Sequence, residues 1–191
     1  MKNVSIFGKG NMGKAIGGLF EESGHTVNYF DSESSVSQVG DIVVLAVPYG
    51  AVSNILSLYK GLLSDKVIID ITNPVNFETF DDLVVPADSS AAAEIAKELP
   101  DAAVVKAFNT TFASTLTSKK VADSHQTTVL LASDNQDAKE LLKTELDKTG
   151  LAFIDVGSLK RARELEAIGF MQISLAGAEK ISWNGGFGVF K

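Results

Sequence analysis

The sequence predicts an α/β domain, a doubly wound and mainly parallel Rossmann sheet with a short C-terminal helical extension. Three observations carry that prediction. Apolar, β-branched runs alternate with helical patterns along most of the chain. The runs are near-continuously apolar, as strands are when helices cover both faces of a parallel sheet. The chain has 191 residues, which at roughly 100 to 200 residues per domain is a single domain with no separate substrate domain.

The elements follow in order. Val4 to Phe7 reads as the first strand and runs into Gly8-Lys9-Gly10-Asn11-Met12-Gly13, after which Ala15 to Glu22 is helical. Thr26 to Phe30 is the second strand and Ile42 to Val47 the third; Val52 to Tyr59 is helical, and Val67 to Ile71 is the fourth strand. Ala91 to Leu99 then reads as helix, Ala103 to Phe108 and Thr127 to Ala132 as strands, Asp137 to Lys148 as helix and Leu151 to Val156 as the seventh strand. From Ser158 the pattern becomes a capped helix start, with apolar periodicity through Ile181 and a glycine-rich end at Gly185 to Gly188. Residues 1–157 are thus expected to form the nucleotide-binding part, and residues 158–191 a helical extension of the same domain.

Composition narrows the function. A net charge of -7 gives no broad positive field for nucleic acid or an anionic membrane surface. The absence of cysteine removes disulfides, thiolate metal sites and cysteine nucleophiles. The two histidines, His25 and His125, are far apart and read as surface or turn residues, so no metal site is expected. Met1 to Phe7 is too short for a signal segment, and no run approaches the roughly 18 apolar residues of a membrane span, so a cytoplasmic protein is expected. Glu164 and Glu166 are two apart and do not share a helix face, which does not support a paired-carboxylate hydrolase; Lys160 and Glu164 read as a surface pair.

The glycine run matches G-x-G-x-x-G directly after a strand and at the opening of a helix. In that setting Gly8 permits the tight turn, Gly10 lets a pyrophosphate approach the backbone, and Gly13 allows close helix packing. The free amides near Asn11 and Met12 face the anion. Asp31 closes the second strand at about the 20-residue spacing of a ribose-binding acid. A carboxylate there accepts from a 2′-hydroxyl and repels a 2′-phosphate, which favours NAD(H); the competing reading is a solvated turn residue. Lys9, Ser32 and Ser34 are the only local donors, because both arginines, Arg161 and Arg163, lie near the C-terminal helix. Only nine residues, Ser32 to Gly40, stand where a helical crossover is usual, so the adenine side should be open with at most one helical turn over it.

Further segments join the fingerprint: Leu45-Ala46-Val47-Pro48, Asp70-Ile71-Thr72-Asn73-Pro74, Val105-Lys106-Ala107-Phe108-Asn109-Thr110, and Asp155 to Leu159 leading to Ala162-Arg163-Glu164-Leu165-Glu166. Together they resemble the NADPH-dependent coenzyme F420 reductase-like family over nearly the whole chain, and the cytoplasmic domains of certain ferric reductases look similar. The resemblance implies a compact, commonly dimeric Rossmann protein that moves hydride between NADP(H) and a deazaflavin. It implies that Gly8, Lys9, Gly10, Asn11, Met12 and Gly13 hold the pyrophosphate region. Ala46, Val47 and Pro48 would lie along the nicotinamide half, with Asn73, Ala107 and Asn109 at the pocket. The family's serine-arginine pair after the second strand is replaced here by Asp31-Ser32, so the resemblance points to NADP(H) and the local chemistry to NAD(H).

The expected function is therefore an NAD(P)-dependent oxidoreductase that delivers hydride to a flavin- or deazaflavin-like acceptor, without a metal. Its alternatives are a non-catalytic NAD(P)-binding sensor and, further off, an imine reductase resembling pyrroline-5-carboxylate reductase. Apolar positions Ile168, Phe170, Met171, Ile173, Leu175 and Ala176 suggest a homodimer through the C-terminal helix, or else a cap on the sheet of a monomer.

Overall fold

A computed structural model describes residues 1–190. Strands β1 (Asn3–Phe7), β2 (Thr26–Phe30), β3 (Ile42–Leu45), β4 (Val67–Asp70) and β5 (Ala103–Ala107) run parallel to one another. A short hairpin, β6 (Lys120–Val121) and β7 (His125–Gln126), precedes β8 (Thr128–Ala132) and β9 (Ala152–Gly157). The main sheet has seven strands in the order β2-β1-β3-β4-β5-β8-β9. β8 pairs antiparallel with β5, and β9 runs parallel to β8, so the last two strands are reversed against the first five. The sheet is thus mainly parallel, as the apolar runs predict.

Six helices cover it: α1 (Asn11–Glu22), α2 (Val52–Leu63), α3 (Ala91–Glu98), α4 (Ala113–Ser118), α5 (Gln136–Glu145) and α6 (Ala162–Gly177). Successive residues of a strand point to opposite faces. Ile42 and Val44 of β3 accordingly pack with Ile16 and Phe20 of α1, Leu116 of α4 and Leu142 of α5. Val43 and Leu45 pack with Leu56 of α2, Ile95 of α3 and Ala162 of α6. Both faces are apolar because both are covered.

The segment between β2 and β3 carries no helix at all. It substitutes for one by laying its two valines, Val36 and Val39, on the second-face cluster. Ser5, a polar residue in the middle of β1 with 1% exposure, is explained by this loop: its hydroxyl accepts the Gly40 amide at 2.9 Å. One hydroxyl inside the central strand therefore ties down the truncated crossover.

Four local readings differ from expectation. The last helix ends at Gly177, not Ile181, and residues 178–190 return as an irregular strap. The strap is fixed by the Ala122 amide on the Asn184 carbonyl at 2.8 Å and by the Phe187 amide on Gln172 Oε1 at 2.9 Å. Ser158 makes no side-chain cap; Asp134 Oδ1 takes the Leu159 amide across the structure instead, at 3.0 Å. Glu164 pairs with Arg161 at 3.1 Å, one residue nearer than the Lys160 expected. His25 follows the Ser23–Gly24 turn, and its ring is buried, with Nδ1 accepting the Lys2 amide and Nε2 donating to the Glu145 carbonyl; the loss of a surface position follows from its packing edge-on to Phe20.

Replacing Ser5 by Ala leaves the part-buried Gly40 amide without its acceptor. The expected outcome is a loss of about 1–2 kcal/mol in stability with the fold retained, measured by urea denaturation.

Candidate functional site

Ligands in open α/β sheets bind beyond the carboxyl ends of the strands, and five strands end together along one edge here. β1 runs into Gly8, whose φ of +116° lies in the region reserved for glycine. A Cβ on Gly8 would also overlap the Ala46 carbonyl, and one on Gly13 would overlap the Gly8 carbonyl. These two glycines are therefore required by packing alone. Gly10 differs: a Cβ there meets nothing within 4 Å. It stands at the N-cap of α1, which has no side-chain cap and no acidic residue in its first turn. A helix start with unfilled amides and open space before it is suited to an anion, and the exposed Asn11 and half-buried Met12 border that space.

Ala46 and Val47 are half-buried beside the Gly8 turn, and Pro48 is exposed at the following turn. Asp31 and Ser32 are exposed at the end of β2. Lys9 Nζ reaches Asp31 Oδ2 at 2.6 Å, and the Ser34 hydroxyl donates to Asp31 Oδ1 at 2.7 Å. Those two bonds, the Lys9 contact first, hold the Asp31 carboxyl at about 2, below its ordinary 3.8.

Asn73 and Asn109 meet through a reciprocal pair. Asn73 Nδ2 donates to the Asn109 carbonyl at 3.0 Å, and Asn109 Nδ2 donates to Asn73 Oδ1 at 2.9 Å and to the Leu165 carbonyl at 2.8 Å. The Leu165 carbonyl can only accept, so it fixes the orientation of the Asn109 amide. α6 approaches this pair at Gly169, where a Cβ would overlap Asn73 Oδ1. Phe108, between Ala107 and Asn109, is fully buried and holds a φ of +63°, a conformation a bulky side chain adopts only under constraint. Its strained turn aims Asn109 at α6. Ala107 itself is buried in the core beneath the site, without a surface to offer a ligand.

A cavity of about 420 Å³ opens next to the start of α1. It is lined by Asn11 and Met12, by Ile71, Asn73 and Phe77 after β4, by Asn109, Thr111 and Phe112 after β5, and by Ile173 and Trp183. The Phe112 and Trp183 rings lie 4.9 Å apart, and the Ser114 hydroxyl donates to the Trp183 carbonyl, so the C-terminal strap forms one wall. Sequence reading missed Phe77, Phe112 and Trp183, because nothing in local pattern says that these three segments meet.

Beside the cavity lies a buried charge cluster. Lys106, fully buried in β5, donates to Asp70 Oδ2 at 2.8 Å, to the Thr72 carbonyl at 2.5 Å and to Glu166 Oε1 at 2.8 Å. Glu166 in turn accepts the Ala91 and Ala92 amides at the start of α3, at 2.8 and 3.3 Å. Burial pushes the Glu166 carboxyl up from its ordinary value, against the opposing pull of Lys106. The sequence carries a signal for this cluster: single charges inside the apolar runs Val67-Ile68-Ile69-Asp70 and Val104-Val105-Lys106-Ala107 must find partners if those strands are buried.

Among the described residues, no group of three or more metal-ligating side chains occurs and no helix is long and apolar enough to cross a membrane. The parallel strands, the glycine turn and the uncapped α1 define the class, a Rossmann-type domain with a dinucleotide fingerprint. Comparison with known proteins agrees. Residues 20–74 match the family described as NADP oxidoreductase, coenzyme F420-dependent. The F420-dependent NADP reductase of Methanothermobacter thermautotrophicus is 34% identical over 141 residues, which is 71% of this chain and 60% of that protein. That of Methanocaldococcus jannaschii is 28% identical over 142 residues, 71% of this chain and 62% of the relative. A crystal structure from Arthrobacter sp. FB24 has the same fold, with a TM-score of 0.85, 22% identity and full coverage of both chains. The chain is similar to members of this family over 71% of its length, and it spans about three fifths of the length of the two archaeal reductases.

Two outcomes follow. Lys106→Met strands two buried carboxylates, so a loss of about 3–5 kcal/mol is expected in urea denaturation. Carboxyl-carbon NMR should find Asp31 titrating at about 2 in the parent protein and moving back toward 3.8 in Lys9→Met.

Proposed function

We propose that this chain binds NADP(H) along the carboxyl edge of its parallel strands and transfers hydride between that coenzyme and a flavin- or deazaflavin-like acceptor held in the adjoining cavity. The single observation that carries the reading is the continuity of the two places: Asn11 and Met12 open the uncapped helix and also line the cavity. A nicotinamide supplies or receives the hydride when bound, so the protein's task is binding, orientation and exclusion of water.

The residues fit that task. Gly8, Gly10 and Gly13 would admit the pyrophosphate to the α1 amides. Ala46, Val47 and Pro48 would flank the ring side of the coenzyme, and the Asn73–Asn109 pair would form a rigid polar floor. Met12, Ile71, Phe77, Phe112 and Trp183 give the cavity mainly apolar walls, suited to a planar heterocycle. The names of the archaeal relatives support NADP(H) over NAD(H) and a deazaflavin of the F420 kind as acceptor. Residues 1–157 would act as the coenzyme domain, with 158–190 closing its acceptor side. A homodimer would use the outer face of α6, where Ile168 is 36% and Met171 58% exposed.

The test is binding followed by turnover. NADPH should bind in a fluorescence titration and be oxidised when F420 or a flavin is supplied; binding with no turnover across such acceptors gives the protein to the sensor reading instead. Gly10→Val separates the site from the fold. A Cβ there meets nothing within 4 Å, so stability should change by no more than about 1 kcal/mol in denaturation, while NADPH affinity should fall about tenfold or more.

A further inference from the structure

We infer that Lys9, inside the glycine turn, is the residue that selects the 2′-phosphate of NADP(H), and that Asp31 acts as its positioning residue and not as a ligand for the ribose. The inference rests on the reading that the chain binds a dinucleotide, and it reverses what Asp31 alone suggests about the coenzyme.

A 2′-phosphate carries close to two negative charges near neutral pH and requires a cation at hydrogen-bond distance. The start of the segment after β2 supplies none, since Asp31, Ser32 and Glu33 follow the strand directly. The chain's two arginines begin α6, which docks on the β4–β5 side through the Leu165 and Gly169 contacts; Arg161 is paired there with Glu164. Lys9 is different. It stands between Gly8 and Gly10 on the neighbouring strand end, its side chain is 46% exposed, and its ammonium lies 2.6 Å from the Asp31 carboxylate. Its charge is thus held at the end of β2, where the adenosine ribose of a Rossmann coenzyme sits.

Asp31 is committed elsewhere. Oδ2 faces Lys9, and Oδ1 accepts the Ser34 hydroxyl at 2.7 Å and the Glu33 amide at 3.2 Å. That leaves a ribose hydroxyl a single unused lone pair, on Oδ2 beside the Lys9 ammonium. The partner charge also offsets much of the repulsion a free carboxylate would exert on a phosphate. An exposed ion pair is weak and exchanges readily, so an arriving phosphate can share the ammonium without a large penalty. The helix-free loop leaves the Ser32 hydroxyl beside it as a further donor.

Dissociation constants for NADPH and NADH, measured by fluorescence or calorimetry on the parent, Lys9→Met and Asp31→Asn proteins, decide the matter. Both positions are exposed, so both variants should fold, which circular dichroism checks. The parent should prefer NADPH, and Lys9→Met should weaken NADPH about tenfold or more, in line with loss of one charge-assisted bond, while changing NADH less than about threefold. Asp31→Asn keeps an oxygen that can accept from the Lys9 ammonium, so it should leave both coenzymes within about threefold of the parent. Raising salt should weaken NADPH more than NADH in the parent, and this difference should shrink in Lys9→Met. Equal weakening of both coenzymes in Lys9→Met would overturn the inference by assigning the lysine to the shared pyrophosphate. So would an Asp31→Asn protein that loses NADH affinity, which would make Asp31 the hydroxyl ligand. A parent protein that binds neither coenzyme is a separate outcome and sinks the dinucleotide reading itself.

Discussion

A lysine ammonium with no access to water holds the working end of this protein together. Taking such a charge out of water is costly unless partners surround it, and Lys106 has three: the Asp70 carboxylate at the end of β4, the Thr72 carbonyl just beyond it, and Glu166 from α6. Glu166 then closes the circuit on the first amides of α3. One network therefore fixes two strand ends and two helices, and the segments leaving those strand ends carry Asn73 and Asn109. Replacing it with apolar side chains of similar volume could preserve stability. It would not preserve position, because an apolar contact lacks the directional requirement that sets α6 against the Asn73–Asn109 pair.

Around that anchor the site divides into two halves with different physics. The β1–α1 turn and the end of β2 present backbone amides, hydroxyls and the Lys9–Asp31 ion pair. The segments after β4 and β5, with α6 and the strap, present mainly apolar and aromatic walls to the cavity. Economies of chain length fall on the first half. The β2–β3 crossover gives up its helix and is retained by two valines and the Ser5–Gly40 bond. The second half spends residues instead, folding the last part of the chain back so that Trp183 can face Phe112.

How much of this was legible in the sequence depended on the range of the interaction. The seven strands follow from the apolar runs, because burial on both faces leaves a local trace. The roles of Gly8 and Gly13 are likewise local, since each glycine answers to a neighbour set by the strand-turn-helix geometry. The reversal of β8 and β9 is not, because an apolar run reads the same in either direction. The end of α6 is not legible either, because Ile181 continues the apolar periodicity, whereas the chain leaves the helix at Gly177 to make contacts with the β6–β7 hairpin. Lys106 and Asp70 were visible as charges out of place, but their third partner, Glu166, is far along the chain and has no local mark. Asp31 stands at the spacing of a ribose ligand, and spacing carries no sign that Lys9 and Ser34 also bond its oxygens.

The cavity has a consequence for folding. Its walls come from the start of α1, from the segments after β4 and β5, and from α6 and the strap, with Asn11 and Trp183 at the extremes of the sequence. No subset of neighbouring elements encloses it, so it cannot appear as an early, local structure; such non-local closure is the slow part of folding. Conversely, a molecule bound there bridges the first helix and the last segment of the described chain. It would oppose global unfolding more than local fraying, making occupancy and the integrity of the whole domain a single equilibrium.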